Sequence, residues 1–255
     1  MATYRLDIAY DGSHFSGWAA QPGRRTVQAE LEGALGRLFG EPIALTVAGR
    51  TDAGVHALAQ VASFETDRKP PATLLGALNS LTGPDLAVLA AACAPVGFDA
   101  RRDARSRRYR YRLDTGRPPS PFERGRALSW PHRLELDALE ASAAALLGTH
   151  DFTAFTPTDT KHTRLERLIL GASWSRESER LTSFEIEAPA FMRSMVRVLV
   201  GTMLEIGGGR RELDDLLRLL AGAERSEAGE TAPAHGLYLI AVRYRDEELR
   251  EAAPA

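Results

Sequence analysis

Residues 43–65 have the sequence IALTVAGRTDAGVHALAQVASFE, in which two apolar runs, 43–49 and 55–65, flank the polar segment 50–54. Aliphatic and β-branched residues favour strands, whereas Asp and Gly favour a tight connection between them. We therefore expect two strands joined by a short turn that carries Asp52.

The residues on either side of this pair extend it to a β-α-β-β-α-β order. Residues 4–10 alternate apolar and polar side chains, which is typical of a half-buried strand. A helical apolar pattern covers 26–40, and Pro70-Pro71 opens a second one. Because 85–93 is a further apolar run, the first hundred residues predict a ferredoxin-like unit.

The rest of the chain repeats this mixture. Strands are expected near 106–113, 164–175, 181–188 and 237–244, and helices near 135–147, 191–206 and 212–221. Hairpins of this kind favour antiparallel sheets with helices packed on one face, which is an α+β fold. We predict one half at 1–100 that carries the Asp52 turn, a second half at 101–247, and a frayed tail at 248–255.

Composition limits the possible classes of protein. With 255 residues, 44% apolar and 26% charged, the chain can bury real cores and is not disordered. A net charge of −2 gives no global positive field, so nucleic-acid binding must depend on local charge. Cys93 is the only cysteine, and neither a signal peptide nor an apolar stretch of bilayer length is evident. We expect a soluble cytoplasmic protein.

Familiar catalytic and cofactor signatures are absent from the sequence. It has no Gly-x-Ser-x-Gly, no Gly-x-x-x-x-Gly-Lys, no His-Glu-x-x-His and no Cys-x-x-Cys. The six histidines lack the spacing of metal ligands, and Gly207-Gly208-Gly209 follows a helix instead of opening one. The sequence therefore predicts no metal site and no nucleotide cofactor.

Positive charge is concentrated between Arg101 and Arg133, where eleven arginines accompany only three acidic residues. Within a strand, alternate side chains share a face. One face would present Arg108, Arg110 and Arg112, and the other Arg107, Tyr109 and Tyr111. The first face would offer charge to phosphates and the second would offer rings to a base. The alternative is a solvated edge strand with two core tyrosines.

The expected helix at 191–206 is apolar around most of its circumference, which indicates burial. Arg197 lies in its middle, where a guanidinium is rarely tolerated without a carboxylate partner. Asp52 is a candidate partner, because it stands alone in a turn that Gly54 allows to bend sharply. A carboxylate kept ionised by an adjacent Arg is a competent nucleophile. The alternative is a turn Asp that caps its own loop.

Residues 48–56, AGRTDAGVH, resemble the active-site motif of the TruA-type tRNA pseudouridine synthases. Further segments resemble the same family in order along most of the chain: Tyr10-Asp11-Gly12-Ser13, Thr26-Val27-Gln28, Arg107-Arg108-Tyr109-Arg110-Tyr111, His150-Asp151-Phe152, Met195-Val196-Arg197 and Gly236-Leu237-Tyr238-Leu239. Two positions depart from the family, since Ala19 replaces a usual glutamine and Pro189 a usual asparagine. Neither departure involves Asp52.

The resemblance implies a fold and a reaction. The family folds as two ferredoxin-like halves that share an extended antiparallel sheet, with helices on one face. It isomerises uridine to pseudouridine at positions 38, 39 and 40 of the tRNA anticodon stem-loop. It acts as a homodimer, and its bacterial members use no cofactor.

The resemblance also implies a role for each matching residue. Asp52 would be the nucleophile that attacks the target nucleotide, with Arg197 as its ion-pair partner. Tyr109 would stack beside the uracil, and Leu237 would line the apolar wall of the pocket. Arg50 would enter the space that the flipped base leaves.

This reaction agrees with the missing motifs, since moving the glycosidic bond from N1 to C5 involves no redox change and no net water. The base must first leave the RNA stack, which costs a few kcal/mol. Two alternatives stay open: a non-catalytic RNA-binding module, and an Asp-dependent hydrolase that releases free uracil. Attack of Asp52 on C6, attack on C1′ and elimination to a glycal are equally compatible with the sequence.

Overall fold

The computed structural model describes residues 1–160 and 162–245 of the chain. This described part contains five α-helices and a large, mostly antiparallel β-sheet, which confirms the predicted α+β class. None of its helices has the length and apolar character needed to cross a bilayer. The chain divides into two compact units, one made of 1–107 with the segment that starts at Tyr238, and the other of 108–237. The predicted tail, 248–255, lies outside the described residues.

The first unit begins with the predicted β-α-β-β-α-β order. Its elements are β1 (Ala2–Tyr10), α1 (Val27–Phe39), β2 (Thr46–Val47), β3 (His56–Thr66), α2 (Leu74–Leu81) and β4 (Leu86–Cys93). Strand β1 lies between β4 and β3, and β2 pairs with the other edge of β3. These pairs are antiparallel, as a ferredoxin-like unit requires. The strand expected at 43–49 is reduced to the two residues of β2.

The local sequence explains where α1 begins and ends. Thr26 Oγ1 accepts a hydrogen bond from the Ala29 amide (3.3 Å), and Gly40 has φ = 70° directly after the last turn. The helix buries an apolar stripe that consists of Val27, Leu31, Ala34, Leu35 and Phe39. Phe39 packs against the stacked rings of Tyr4 and Phe64, whose centroids are 5.1 Å apart. The stripe therefore packs α1 on the sheet.

The chain enters the second unit within β5 (Ala104–Asp114). The elements that follow are β6 (Leu128–Ser129), α3 (Leu136–Ala144), β7 (Gly148–Asp151), β8 (Glu166–Ile169), β9 (Gly171–Arg176), β10 (Leu181–Ala188), α4 (Met195–Gly207) and α5 (Leu213–Leu219). Strands β5, β10 and β9 lie side by side in that order, while β7 and β8 form a separate pair. The strand predicted at 164–175 is therefore two strands with different partners.

Helix α4 begins at Met195, four residues later than predicted, because Ser194 has a left-handed backbone with φ = 59°. One face of the helix is only half-buried, and segment 229–232 packs against that face. The contact is close, because a Cβ on Gly201 would lie only 1.8 Å from the carbonyl oxygen of residue 230. Arg197 Nε donates to the Ala232 carbonyl (2.7 Å), and the Ala232 amide donates to the Arg197 carbonyl (3.1 Å).

The final described strand, β11 (Leu237–Tyr244), belongs mainly to the first unit. It pairs in parallel with β3, with Tyr238 opposite His56. The Tyr244 hydroxyl donates to the Ala100 carbonyl (2.6 Å). The predicted second half, 101–247, includes this strand because the strand follows the rest of that half in the chain. Its pairing is with residues far away in the sequence, so no local pattern indicates it.

Gly201 and Gly33 provide a matched test of the close contact on α4, because both lie inside helices. Gly201→Ala should lower the free energy of unfolding by about 1–3 kcal/mol, since the added methyl group must displace backbone. A Cβ on Gly33 in α1 would meet nothing within 4 Å. Gly33→Ala should therefore raise the free energy of unfolding by about 0.5–1 kcal/mol. Denaturant unfolding measures both variants, and equal effects would contradict the contact.

Candidate active site

The turn that carries Asp52 lies between β2 and β3 and is hydrogen-bonded to the loop that follows β1. The Trp18 amide donates to the Thr51 carbonyl (3.0 Å), and the Gly54 amide donates to the Phe15 carbonyl (3.3 Å). The backbone on both sides of Asp52 is therefore fixed by residues outside the turn. Such positioning is what a catalytic group requires.

Two glycines make this contact possible. Gly17 has φ = 90°, and a Cβ on it would lie 2.9 Å from the Thr51 carbonyl oxygen. Gly12 packs more tightly, since a Cβ there would lie 2.1 Å from the Val55 carbonyl oxygen. A side chain at either position would push the loop and the turn apart.

A buried network of polar side chains lies beneath the turn. The Tyr10 hydroxyl is 2.8 Å from Thr51 Oγ1. Gln60 Nε2 donates to the Tyr10 hydroxyl (3.3 Å) and to the Gly49 carbonyl (2.7 Å). Burial raises the pKa of Tyr10 to about 12, although its hydrogen bonds with Thr51 and Gln60 oppose this shift. The network connects β1 and β3 to the turn.

Arg107 holds the residue that precedes the turn. It is 8% exposed, and its Nε (3.0 Å) and one Nη (2.6 Å) donate to the Ala48 carbonyl. The guanidinium also donates to the carbonyls of Arg101 (2.7 Å) and Ala104 (3.2 Å). Arg107 belongs to the arginine-rich segment 101–133, but in the structure these N–H groups are bound to backbone carbonyls of the protein.

His56 lies directly after the turn and is buried. Its Nδ1 accepts a hydrogen bond from the Gly12 amide (3.0 Å), and its ring stacks on Tyr238 with centroids 4.6 Å apart. Asp11 Oδ1 lies 3.2 Å from the same nitrogen, but it already accepts from the amide and hydroxyl of Ser13. We therefore assign Nδ1 as the acceptor of the hydrogen bond from Gly12.

The two sequence-predicted residues of the turn lie on its more accessible side. Asp52 is half-buried and Arg50 is exposed, whereas Thr51 and Val55 are buried. A partly accessible carboxylate on a fixed backbone can meet a substrate without movement of the loop. No group of three or more metal-binding side chains occurs among the described residues.

Tyr109 and Tyr111 lie on one face of β5, as the alternation of the sequence predicted. Tyr109 is 7% exposed, and the Phe191 ring contacts it in a T-shaped arrangement with centroids 5.2 Å apart. Tyr111 is fully buried, its hydroxyl donates to the Pro233 carbonyl (2.8 Å), and burial raises its pKa. Both rings are therefore held in fixed orientations.

The opposite face of β5 carries the predicted arginines, but their charge is largely compensated. Arg108 and Arg110 both pair with Glu185 on β10. Arg112 pairs with Glu123 (2.9 Å) and with a further glutamate on the turn after β9 (3.3 Å). This face therefore offers less charge to phosphates than the sequence indicated.

Segment 232–237 connects the predicted residues of the second unit. The Ala232 carbonyl accepts a hydrogen bond from Arg197 on α4, and the Pro233 carbonyl accepts one from the Tyr111 hydroxyl. Leu237 follows directly and is 5% exposed. Arg197, which the sequence placed in a buried position, is half-buried. The predicted pairing of Arg197 with Asp52 stays a prediction.

The contiguous motif predicts the Asp52 turn but not most of the contacts that hold it. In the sequence, Arg107 is one of many arginines between 101 and 133, and His56 is the last residue of the motif. The available signal for His56 was its position directly after the turn, beside an expected strand. For Arg107 the sequence offers no signal, because its partners are backbone carbonyls.

The described chain thus has a half-buried carboxylate on a fixed turn and a strand with two buried tyrosine rings. Comparisons with known proteins show the class of protein to which the chain belongs. A family model described as tRNA pseudouridine synthase matches residues 8–101 and 142–245. The chain belongs to this family, and it is a pseudouridine synthase, an isomerase.

Relatives named tRNA pseudouridine synthase A match nearly the whole chain. The relative from Myxococcus xanthus is 42% identical over 248 residues, 96% of this chain and 93% of its own. The relative from Bacillus pumilus is 40% identical over 243 residues, which are 94% of this chain and 98% of its own. The relative from Mycobacterium leprae is 44% identical over 266 residues, which are 98% of this chain and 92% of its own. Among solved structures, a chain of a Cbf5-Nop10-Gar1 complex is 10% identical and matches 79% of this chain and 54% of its own length. Its TM-score of 0.34 is too low to support a conclusion about this protein.

Tyr10→Phe tests the network beneath the turn. A tyrosine with a pKa of about 12 in the folded state and 10.0 when unfolded stabilises the fold below pH 10, and this stabilisation is lost as the pH rises toward 12. Phe cannot ionise, so the fall in the free energy of unfolding above pH 10 should be shallower in the variant. At pH 7 the variant should lose about 1–2 kcal/mol, because Thr51 and Gln60 lose a buried partner. Urea unfolding at each pH measures both effects, and an unchanged slope would contradict the raised pKa.

Proposed function

We propose that this enzyme converts uridine to pseudouridine at positions 38, 39 and 40 of the tRNA anticodon stem-loop, with Asp52 as the nucleophile. The observation that carries the proposal is the segment 48–56, whose sequence resembles the family's active-site motif and whose turn is held by hydrogen bonds from residues outside it. Similarity to tRNA pseudouridine synthase A over nearly the full length supports the same class of substrate.

The reaction breaks the N1–C1′ bond and forms a C5–C1′ bond. The proton on C5 is lost and N1 gains a proton, so the product is an isomer of the substrate and no cofactor is consumed. The base must turn between these steps, and it therefore has to leave the RNA stack, at a cost of a few kcal/mol. Stacking on an aromatic side chain offsets about 1–3 kcal/mol per base.

We assign this stacking to Tyr109. Its ring is fixed by Phe191, so little conformational freedom is lost when a base binds. Leu237, which is nearly buried at the start of β11, would form the apolar wall of the pocket. Arg50 is exposed on the turn and would fill the space that the flipped base leaves.

Family membership also supports two further parts of the proposal. We expect the enzyme to act as a homodimer, which sedimentation of the purified protein tests. We also expect it to act in the cytoplasm on tRNA transcripts. Arg197 is proposed as the ion-pair partner of Asp52, so Arg197→Lys should reduce turnover more than it reduces affinity for RNA.

Asp52→Asn is the central test. The substitution keeps size and shape but removes the nucleophilic charge, so turnover should fall by at least about a thousandfold, as is typical for loss of a covalent catalyst. Affinity for tRNA should stay within about threefold. Release of tritium from C5-labelled uridine in an anticodon-arm transcript measures turnover, and filter binding measures affinity.

Asp214→Asn, an exposed position on α5, is the matched control and should retain parental activity. If modified RNA accumulates at the parental rate without the Asp52 carboxylate, the nucleophile assignment fails. Chromatography of the digested RNA separates the alternatives, because a hydrolase would release free uracil and leave an abasic product.

Tyr109→Ala and Tyr109→Phe together test the stacking role. The alanine variant should lower the single-turnover rate by about 5- to 150-fold, which corresponds to the loss of one base-aromatic stack. The phenylalanine variant keeps the ring and should stay within a few-fold of the parent. Equal rates for the parent and the alanine variant would exclude stacking at this position.

A further inference from the structure

The loop between β5 and β6, residues 115–127, exposes the ring of Phe122. Phe122 is 86% exposed, and among the described residues it is the one aromatic side chain that is mostly exposed. A single exposed apolar side chain is ordinary by itself. Here, however, the backbone of the loop is fixed by hydrogen bonds, and the same loop carries exposed arginines.

The backbone before Phe122 is fixed by a buried carboxylate. Asp114, which is 2% exposed, accepts hydrogen bonds from the amides of Gly116 (3.1 Å) and Ser120 (2.8 Å). The same carboxylate accepts from Arg180 (3.0 Å). The Phe122 amide then donates to Ser120 Oγ (3.2 Å). The ring therefore projects into solvent from a loop whose backbone is held by hydrogen bonds.

Two arginines of the same loop carry charge that the rest of the described chain does not compensate. Arg117 and Arg124 are exposed, and neither forms an ion pair with a described residue. Glu123, which lies between them in the loop, is already paired with Arg112 (2.9 Å). The loop thus differs from the face of β5, whose arginines are paired with glutamates.

We propose that this loop is a second RNA contact, at which an unpaired base of the tRNA stacks on Phe122 while Arg117 and Arg124 bind neighbouring phosphates. Unpaired bases in RNA stack on aromatic side chains, and guanidinium groups pair with phosphate oxygens. An apolar protein surface is a less suitable partner for this loop, because it would remove water from the charges of Arg117 and Arg124 without compensating them. The inference rests on tRNA as the substrate of the proposed function.

The contacted nucleotide is not the target uridine. Glu123, the residue after Phe122, pairs with Arg112 (2.9 Å), whose side chain lies on the face of β5 opposite to Tyr109. Phe122 therefore contributes to the affinity for RNA and not to the chemical step.

The test measures affinity for a full-length tRNA transcript by filter binding, in the Asp52→Asn background so that turnover does not interfere. Phe122→Ala should weaken binding by about 5- to 150-fold, the range expected for loss of one stacked base. Phe122→Trp should keep parental affinity. Phe122→Leu, which is apolar but has no π-face, should behave like the alanine variant.

Leu217→Ala is the matched control, because it removes another exposed apolar side chain of the second unit, and it should bind as the parent does. If Asp52→Asn still turns over RNA, the catalytic proposal fails, while the comparison among Phe122 variants stands. The two proposals can therefore fail separately.

The dependence of RNA affinity on salt concentration separates the contribution of the Phe122 ring from that of the two arginines. The double variant Arg117→Gln, Arg124→Gln should reduce the slope of log affinity against log salt concentration by about 1–2. Phe122→Ala should lower affinity and leave this slope unchanged. Arg37→Gln, at an exposed arginine of α1, should change neither.

Parental affinity of Phe122→Ala, or of Phe122→Leu, would overturn the stacking contact. An unchanged slope in the double arginine variant would overturn the phosphate contacts. If Phe122→Ala instead changes the sedimentation of the protein without loss of affinity for RNA, the loop is a contact between two copies of this chain and the proposal is wrong.

Discussion

The hydrogen bond from the Trp18 amide to the Thr51 carbonyl is the contact on which the candidate site depends. It exists only because Gly17 has a left-handed backbone and no Cβ, which lets the loop after β1 lie directly against the turn. With the backbone fixed there, the Asp52 carboxylate keeps only the freedom of its own side chain. The polar network of Tyr10 and Gln60 supports the same turn from below.

Local patterns in the sequence predicted most of the elements but not their distant partners. The α1 helix is bounded by Thr26 and Gly40, both of which lie within one turn of it, so its limits were predictable. The final strand pairs with β3, and Arg107 binds the Ala48 carbonyl; both contacts join residues far apart in the chain. Such contacts follow from the three-dimensional packing and leave no periodic signal. The Asp52 turn was found because its motif is contiguous.

The arginines of β5 show why a count of charges along the sequence overestimates a positive surface. Residues 101–133 contain eleven arginines and three acids. The compensating carboxylate for Arg110 is Glu185, which is 75 residues away and lies outside that window. Charge that is already paired within the fold contributes little to the field that attracts a polyanion. Arginines outside the strand, such as those of the Phe122 loop, are therefore the better source of phosphate contacts.

The return of β11 to β3 has a consequence for biosynthesis. The second unit, Arg108–Leu237, must be translated before this strand exists, which takes about 6–26 s at roughly 5–20 residues per second. Throughout that interval the edge of β3 at His56 lacks the neighbour that it has in the finished protein. Open strand edges invite association with other chains. On the ribosome, the segment beside the Asp52 turn therefore presents an open strand edge until β11 has been translated.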